Sequence, residues 1–408
     1  MIGSRRETAA VDRVTLVGSA LALGTLAFGF LQARPSRIAA GTMLPLWRAA
    51  SPYELALFIL LPCVAFAFAL APIARFGRTL GVLGGPVSAV AGALFILLTL
   101  IIPGIHASGL RPVDSPYARI SFAPGFWIAL FAGYVLIAAG VRRMGSGIAR
   151  FLVVGVVLAA AVGLAASGLF GGLSIAQEWA ARKGRFTAEL EYHVAISLAA
   201  TLAAVVIGLP AGVWAHRRPA AGRGIFVVVN TAQTIPSLAL FGLLIAPLSA
   251  LSHRFPVLRS LGVSGVGTAP AFIALTLYAL LPIVRNTYVG LQVVDPSAAE
   301  AGRGMGMNGR QLLFRVELPL ALPVILGGGR TALVQAIGNA AVAALIGAGG
   351  FGVFIFQGLG QAAPDLILLG TLPVILLSIV ADRLMTAATR LVTPKGMGPS
   401  SEGAGEAG

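Results

Sequence analysis

Long apolar runs, separated by short polar and glycine-rich stretches, recur along the whole 408-residue chain. Ten of them read as membrane spans: 14–32, 53–72, 86–106, 123–141, 148–170, 193–215, 224–248, 268–290, 322–346 and 366–389. Each offers roughly the 20 residues a helix needs to cross about 30 Å of hydrocarbon. The pattern predicts an all-α polytopic membrane protein with about ten transmembrane helices.

The runs fall into two blocks. Residues 1–173 hold five spans with short loops and form an accessory N-terminal block. Residues 174–192 (SIAQEWAARKGRFTAELEY) form a charged external linker with room for a short surface helix. Residues 193–391 hold the other five spans and nearly all the informative polar residues. The tail 392–408 has the small, polar composition of a disordered segment. A basic start (Arg5, Arg6, Arg13) precedes an apolar stretch longer than the usual 7–15 residues of a secretory signal. An uncleaved first helix is therefore expected, a cleaved signal over 1–33 being the other reading.

Composition agrees with the pattern. The chain is 57% apolar and 11% charged, with a mean hydropathy of +0.92, where soluble domains are about 25% charged. One cysteine, Cys63, allows no internal disulfide, and four scattered histidines (His106, His193, His216, His253) predict no metal site. The formal charge of +15 comes almost wholly from arginine. With the N-terminus placed in the cytoplasm, 18 cations fall on inner loops and ten on outer ones, with Arg330 inside a span. That bias predicts cytoplasmic N- and C-termini. It also accounts for the positive excess without a nucleic-acid partner.

One polar stretch between two spans stands out: EAGRGMGMNGRQLLFRVELPLALP, residues 300–323. Before it, Asp295-Pro296-Ser297 carries helix-start chemistry, with Ser297 and Glu300 at capping-box spacing. Gly302, Gly304 and Gly306 permit the helix to end in a sharp turn. Asn308 and Gln311 repeat the capping spacing, and Leu312, Leu313 and Val316 share the face of a second short helix. Pro319 is expected to stop that helix and Pro323 to open the next span. The reading is a cytoplasmic helix–turn–helix over 295–319 that docks on a partner. The plainer alternative is a capped surface turn between spans.

These residues resemble the cytoplasmic motif of ATP-binding-cassette (ABC) importer permeases: EAA, three residues, Gly, nine residues, then Ile-x-Leu-Pro. Here Glu300-Ala301-Gly302 is followed by Gly306 and, nine residues on, by Val316-Glu317-Leu318-Pro319. Gly302 replaces the second alanine and Val316 the isoleucine. NTAQTIPSLALFGLL (230–244), LYALLPIVRNTYVGL (277–291), VELPLALPVILGGGRTALV (316–334) and IGAGGFG (346–352) are similar to the glycine betaine/choline branch of that family, over about 193–385. The first five spans look like the extension of its longer members.

The resemblance implies a type I importer permease core in the C-terminal five spans, with a coupling helix seated in a groove of an ATPase subunit. It places Glu300, Ala301, Gly302, Gly304, Gly306, Leu318 and Pro319 in that coupling role. It further implies two permease subunits, identical or paralogous, on a dimer of ATPases, and an external or periplasmic binding protein that delivers the solute. ATP and magnesium belong to the ATPase; this chain holds no cofactor, performs no catalysis, and sits in the bacterial cytoplasmic membrane among lipid. The solute class, quaternary amines acting as osmoprotectants, rests on the resemblance alone, since the residues outline no aromatic cage. An importer for another small solute such as an amino acid is the alternative, and an ion-coupled secondary transporter a further one.

The membrane interior bears on that choice. Glu54, Asp365 and Asp382 fall at predicted span edges, so no carboxylate is expected mid-membrane to carry a coupling ion. The chain also lacks a GxxxxGK[ST] phosphate loop, so the ATPase must be separate. Polar residues repeat along faces of the second block: Asn230, Gln233, Thr234 and Ser237 around Pro236, Tyr278 and Asn286 around Pro282, and Thr331, Gln335 and Asn339 after Arg330. They are candidates for lining the solute path. Inter-helix hydrogen bonding, worth about 0.6–2 kcal/mol each, would explain the same residues. Arg330 is expected to snorkel or to bind a carbonyl. Two further patterns are set aside. Gly304–Gly309 fits GxGxxG without a preceding strand, and Gly262-Val263-Ser264-Gly265 resembles an intramembrane protease GxSG without a placed histidine.

Overall fold

A computed structural model describes residues 11–36, 39–70, 77–110, 117–145, 147–260 and 262–393. The expected tail 392–408 lies almost wholly outside these residues. So do Arg5, Arg6, Arg37, Arg75, Arg111 and Lys395 of the charge count. Among the described residues, eight helices are long and apolar enough to cross a membrane, and Arg13–Ala27 and Phe151–Ala166 are shorter apolar ones. The chain is a multi-pass membrane protein. It divides into two compact units, residues 1–181 with 362–365, and residues 182–361 with 366–408.

The first unit runs α1 (Arg13–Gly24), β1 (Gly29–Arg34), β2 (Thr42–Pro45), α2 (Leu46–Ala49), α3 (Pro52–Leu70), α4 (Gly77–His106), β3 (Arg119–Phe122), α5 (Pro124–Met144), α6 (Gly147–Ala166) and α7 (Ser174–Ala181). Its three-stranded antiparallel sheet, in the order β2-β1-β3, departs from the expected span 14–32. That helix stops near Ala27, and FLQAR continues as a strand, with Leu31 opposite both Leu44 and Phe122. A short apolar run reads alike as buried strand or helix, so only the pairing partners decide it. Phe30, Phe58, Phe95 and Phe126 form the aromatic core beneath the sheet. Glu54 accepts hydrogen bonds from Ser51 at the start of α3 and lies 2.8 Å from His106 Nε2 at the end of α4.

The second unit runs α8 (Lys183–Arg217), α9 (Pro219–Thr234), α10 (Ser237–Arg254), α11 (Pro256–Ser260), α12 (Thr268–Gln292), α13 (Pro296–Gly304), α14 (Gly309–Leu312), α15 (Leu318–Val342), α16 (Gly352–Gly360) and α17 (Pro364–Val392), apart from the first residues of α17. Half of the expected linker 174–192 is therefore the first turns of α8, a 35-residue helix. The expected span 224–248 is two helices, broken at Ile235-Pro236, because Pro236 has no N–H to continue α9.

α12 packs between α8 and α15 through small residues. A Cβ on Gly212 of α8 would lie 2.6 Å from Thr287, and one on Gly328 of α15 would lie 2.6 Å from the Pro282 carbonyl. Gly328, Ala332, Ala336 and Ala340 are all buried at four-residue spacing, so they form one seam of α15. Lipid tails give no hydrophobic drive for helices to associate, and close backbone approach through small residues supplies it instead. The loop 346–352 is the tight turn its glycines predict: Gly347, Gly349 and Gly350 have φ of 79°, 90° and 80°. Glu189 accepts from Gly350 N–H at 2.6 Å, and His193 Nδ1 accepts from Phe351 N–H at 3.3 Å.

Candidate coupling segment and solute path

The segment between α12 and α15 is built from local chemistry. Asp295, not Ser297, caps α13: its Oδ1 accepts the Ser297 N–H at 2.8 Å, and Pro296 occupies the first helical position. The Ser297–Glu300 capping box is thereby corrected. Proline is best placed where its missing N–H is an orphan anyway, which sets the cap one residue before it. The bond from Ser297 N–H holds the Asp295 carboxyl below its usual range.

α13 ends in a Schellman turn. Met307 N–H donates to Gly302 O at 3.2 Å and Gly306 N–H to Arg303 O at 2.9 Å, with Gly306 at φ 81°. Gly302 is buried, and a Cβ there would meet Leu312 Cδ1 at 2.7 Å. A glycine in place of the second alanine thus lets α13 close onto α14. Asn308 and Gln311 form the expected capping box, each bond 2.9 Å.

Pro319 does not stop the second helix. Residues Leu313–Glu317 form a π-helical turn in which Leu318 N–H donates to Leu313 O, five residues back. The widened turn shifts the register just before Pro319, which cannot donate, so the helix runs on through Pro323 as α15. The knob is rooted in the membrane part, because Leu313 and Leu318 pack on the cluster of Leu291, Ala321 and Ile325. Glu317, which the sequence reading passed over, is nearly buried and accepts from Arg217 Nη2 at 2.6 Å, at the end of α8. An acidic residue two positions before a motif proline was the available signal. Glu300, Ala301, Gly304 and Pro319 are exposed, as are the large apolar side chains Val293, Met305 and Phe314.

The polar candidates separate into groups. At the α9–α10 break, the Tyr278 hydroxyl donates to Ile235 O, the carbonyl that the break frees. Gln233 Nε2 donates to Tyr278 O at 2.5 Å and to Gln335 Oε1 at 3.3 Å, which joins α9, α12 and α15. Gln335 also lines an open cleft of about 570 Å³ with Arg330, Thr331 and Asp382. Asn230 lies elsewhere, on a cleft of about 1010 Å³ with Arg223, Phe226 and Tyr288. Asn286 turns back on the Pro282 carbonyl at 2.8 Å, and Thr234 on Thr231 O. Ser237 opens α10, and Asn339 is half-buried on α15.

Arg330 neither snorkels nor binds a carbonyl: its Nε donates to Asp382 Oδ1 at 2.5 Å. Asp382 lies ten residues before the end of α17, which continues to Val392. Ser264 donates to Val266 O, and the His253 ring lies 2.7 Å from Ser249 O. The GxSG serine and that histidine therefore have separate partners.

The family model described as binding-protein-dependent transport system inner membrane component matches residues 204–394. That of the N-terminal domain of the ABC transporter permease YehY matches residues 12–176. A carnitine transport permease protein of Listeria monocytogenes is 41% identical over 52% of this chain and 89% of its own length. A glycine betaine/carnitine/choline transport system permease protein of Bacillus subtilis is 39% identical over 50% and 87%. An osmoprotectant import permease protein of Salmonella typhimurium is 43% identical over 50% and 88%. Among solved structures, an inward-facing methionine ABC transporter has a TM-score of 0.46 and 24% identity, over 52% of this chain and 98% of the other.

Proposed function

Since the chain belongs to the binding-protein-dependent inner membrane components, the non-enzymatic permease subunits of ABC importers, we propose that it moves osmoprotectants across the bacterial cytoplasmic membrane. The solutes are glycine betaine, choline, carnitine or similar quaternary amines, the cargo named for its relatives. Two permeases, this chain with an identical or paralogous copy, sit on a dimer of ATPases that binds ATP and magnesium, and an external binding protein supplies the solute. Both termini and residues 295–319 face the cytoplasm.

The observation that carries this reading is the construction of 295–319. Capped at Asp295, closed by the Gly306 turn and tied by Glu317 to Arg217, it is a stiff knob continuous with α15. Its exposed Met305 and Phe314 suit an apolar groove on a partner. Force applied there by ATPases that close on ATP passes directly into α15 and, through Arg217, into α8. The two helices pack on α12 beside the broken α9–α10 helix, so the membrane bundle tilts between outward- and inward-open states. Hydrolysis resets it.

Reconstitution tests this. Proteoliposomes that hold the permease with its ATPase and binding protein take up labelled glycine betaine or choline with ATP inside and no ion gradient. Uptake that needs a proton or sodium gradient and no ATP would overturn the proposal.

A further inference from the structure

An ion pair inside a membrane bundle is costly, and it persists where it faces protein, water or cargo. Arg330 lies about 18 Å along α15 from Leu318, and Asp382 about 15 Å before the end of α17, at 1.5 Å per residue. The two side chains remain 44% and 32% exposed, so the pair is not sealed between its helices. It opens onto the cleft of about 570 Å³ with Thr331 and Gln335. Contact is made through Nε and one carboxylate oxygen, and among the described residues neither charge has a second ionic partner. An arginine head has five donors and a carboxylate two acceptor oxygens, so both keep capacity for a ligand. Gln335 links the same cleft, through Gln233, to the helix break at Ile235-Pro236. Broken helices and intramembrane charges are the two features that mark solute sites in membrane carriers.

We propose that Arg330 and Asp382 are a solute contact in the translocation path and that they favour zwitterions, solutes with a carboxylate and a cationic nitrogen in one small molecule. The carboxylate lies on the Arg330 guanidinium and the cationic nitrogen beside the Asp382 carboxylate, with the Gln335 amide nitrogen at hand for a carboxylate oxygen. Charge balance decides the class. A zwitterion replaces one internal pair by two matched ones and leaves no net charge in the bundle. A bare cation on Asp382 would leave the arginine unpaired, and a bare anion on Arg330 would leave the aspartate so. Unpaired charge in low dielectric is what a membrane interior tolerates least. Carboxylate-bearing quaternary amines therefore pass more readily than the corresponding alcohols.

This inference rests on the osmoprotectant reading, and its test separates the two. The full importer in proteoliposomes is assayed with glycine betaine and with choline, each delivered by its binding protein. Failure of the unaltered importer to take up either solute with ATP would sink the parent reading. If the unaltered importer works, the double variant Arg330→Gln/Asp382→Asn, which keeps the cleft neutral, is compared with it. The betaine-to-choline rate ratio is expected to fall at least about tenfold, the factor that about 1.4 kcal/mol carries. An unchanged ratio would overturn the inference, whatever happens to the absolute rates. If the double variant fails to assemble with the ATPase, Arg330→Lys serves. It keeps the charge but loses the planar fork that matches a carboxylate. It is expected to raise the betaine KM severalfold more than the choline KM, and an unaltered ratio of the two overturns the inference.

Discussion

Arg217 Nη2 and Glu317 Oε2 stand 2.6 Å apart, and through them the last turn of α8 holds the root of the segment proposed to couple to the ATPase. One charge is 12% exposed and the other 40%. Arg217→Ala leaves a nearly buried carboxylate without its cation. The expected cost is about 1–3 kcal/mol, below the ~3–5 of a fully buried pair. The assembled importer should keep ATP hydrolysis while uptake per ATP falls. The double swap Arg217→Glu/Glu317→Arg should restore part of the coupling. Paired measurements of uptake and phosphate release check this, and full coupling in the single variant would remove the tie from the mechanism.

Gly306 and Gly302 are required for different reasons, and substitutions tell them apart. Gly306 is open to solvent but sits at φ 81°. Gly306→Asn, which tolerates the left-handed region, should be close to the unaltered protein, and Gly306→Val should lose most ATPase binding. Gly302 has an ordinary φ and no room, so Gly302→Leu should push α13 away from Leu312 and abolish coupling with the protein still inserted. Co-purification of the ATPase in mild detergent reads both.

Gln233 and Gln335 bridge α9 and α15 beside the helix break. Gln335→Ala should lower uptake by roughly three- to thirtyfold, since a membrane hydrogen bond is worth about 0.6–2 kcal/mol. Normal uptake and assembly in this variant would take Gln335 out of the solute path.

The Asp295 cap carries a pH signature. The Ser297 N–H bond depresses the carboxyl below its ordinary value of 3.8. A depressed carboxyl stabilises the fold above its unfolded value, and that contribution disappears as pH falls through the folded one. α13 should therefore be equally protected from hydrogen exchange at pH 7 and pH 5 and begin to fray only below the ordinary value. Asp295→Asn should remove the acid transition and keep the cap, since the amide oxygen still accepts. Fraying of the unaltered protein between pH 7 and 5 would contradict the assignment.

The amino-acid sequence alone settled what depends on chain-local physics. Runs of apolar residues long enough for a bilayer located most of the helical spans, and Asn308 with Gln311 located a cap, since each acts within a few residues. The turn at Gly306 was legible for the same reason, whereas the motif from Glu300 to Pro319 was legible only by resemblance to importer permeases. Tertiary structure decided whatever needs a distant partner. FLQAR became a strand because Leu44 and Phe122 lie beside it. Pro319 was absorbed because a π turn rooted on Leu291 and Ala321 was available. Arg330 found Asp382, and Glu317 found Arg217, across 52 and 100 residues of chain. A charge's role in a membrane depends on which charge faces it, and no periodicity along one helix encodes the neighbour.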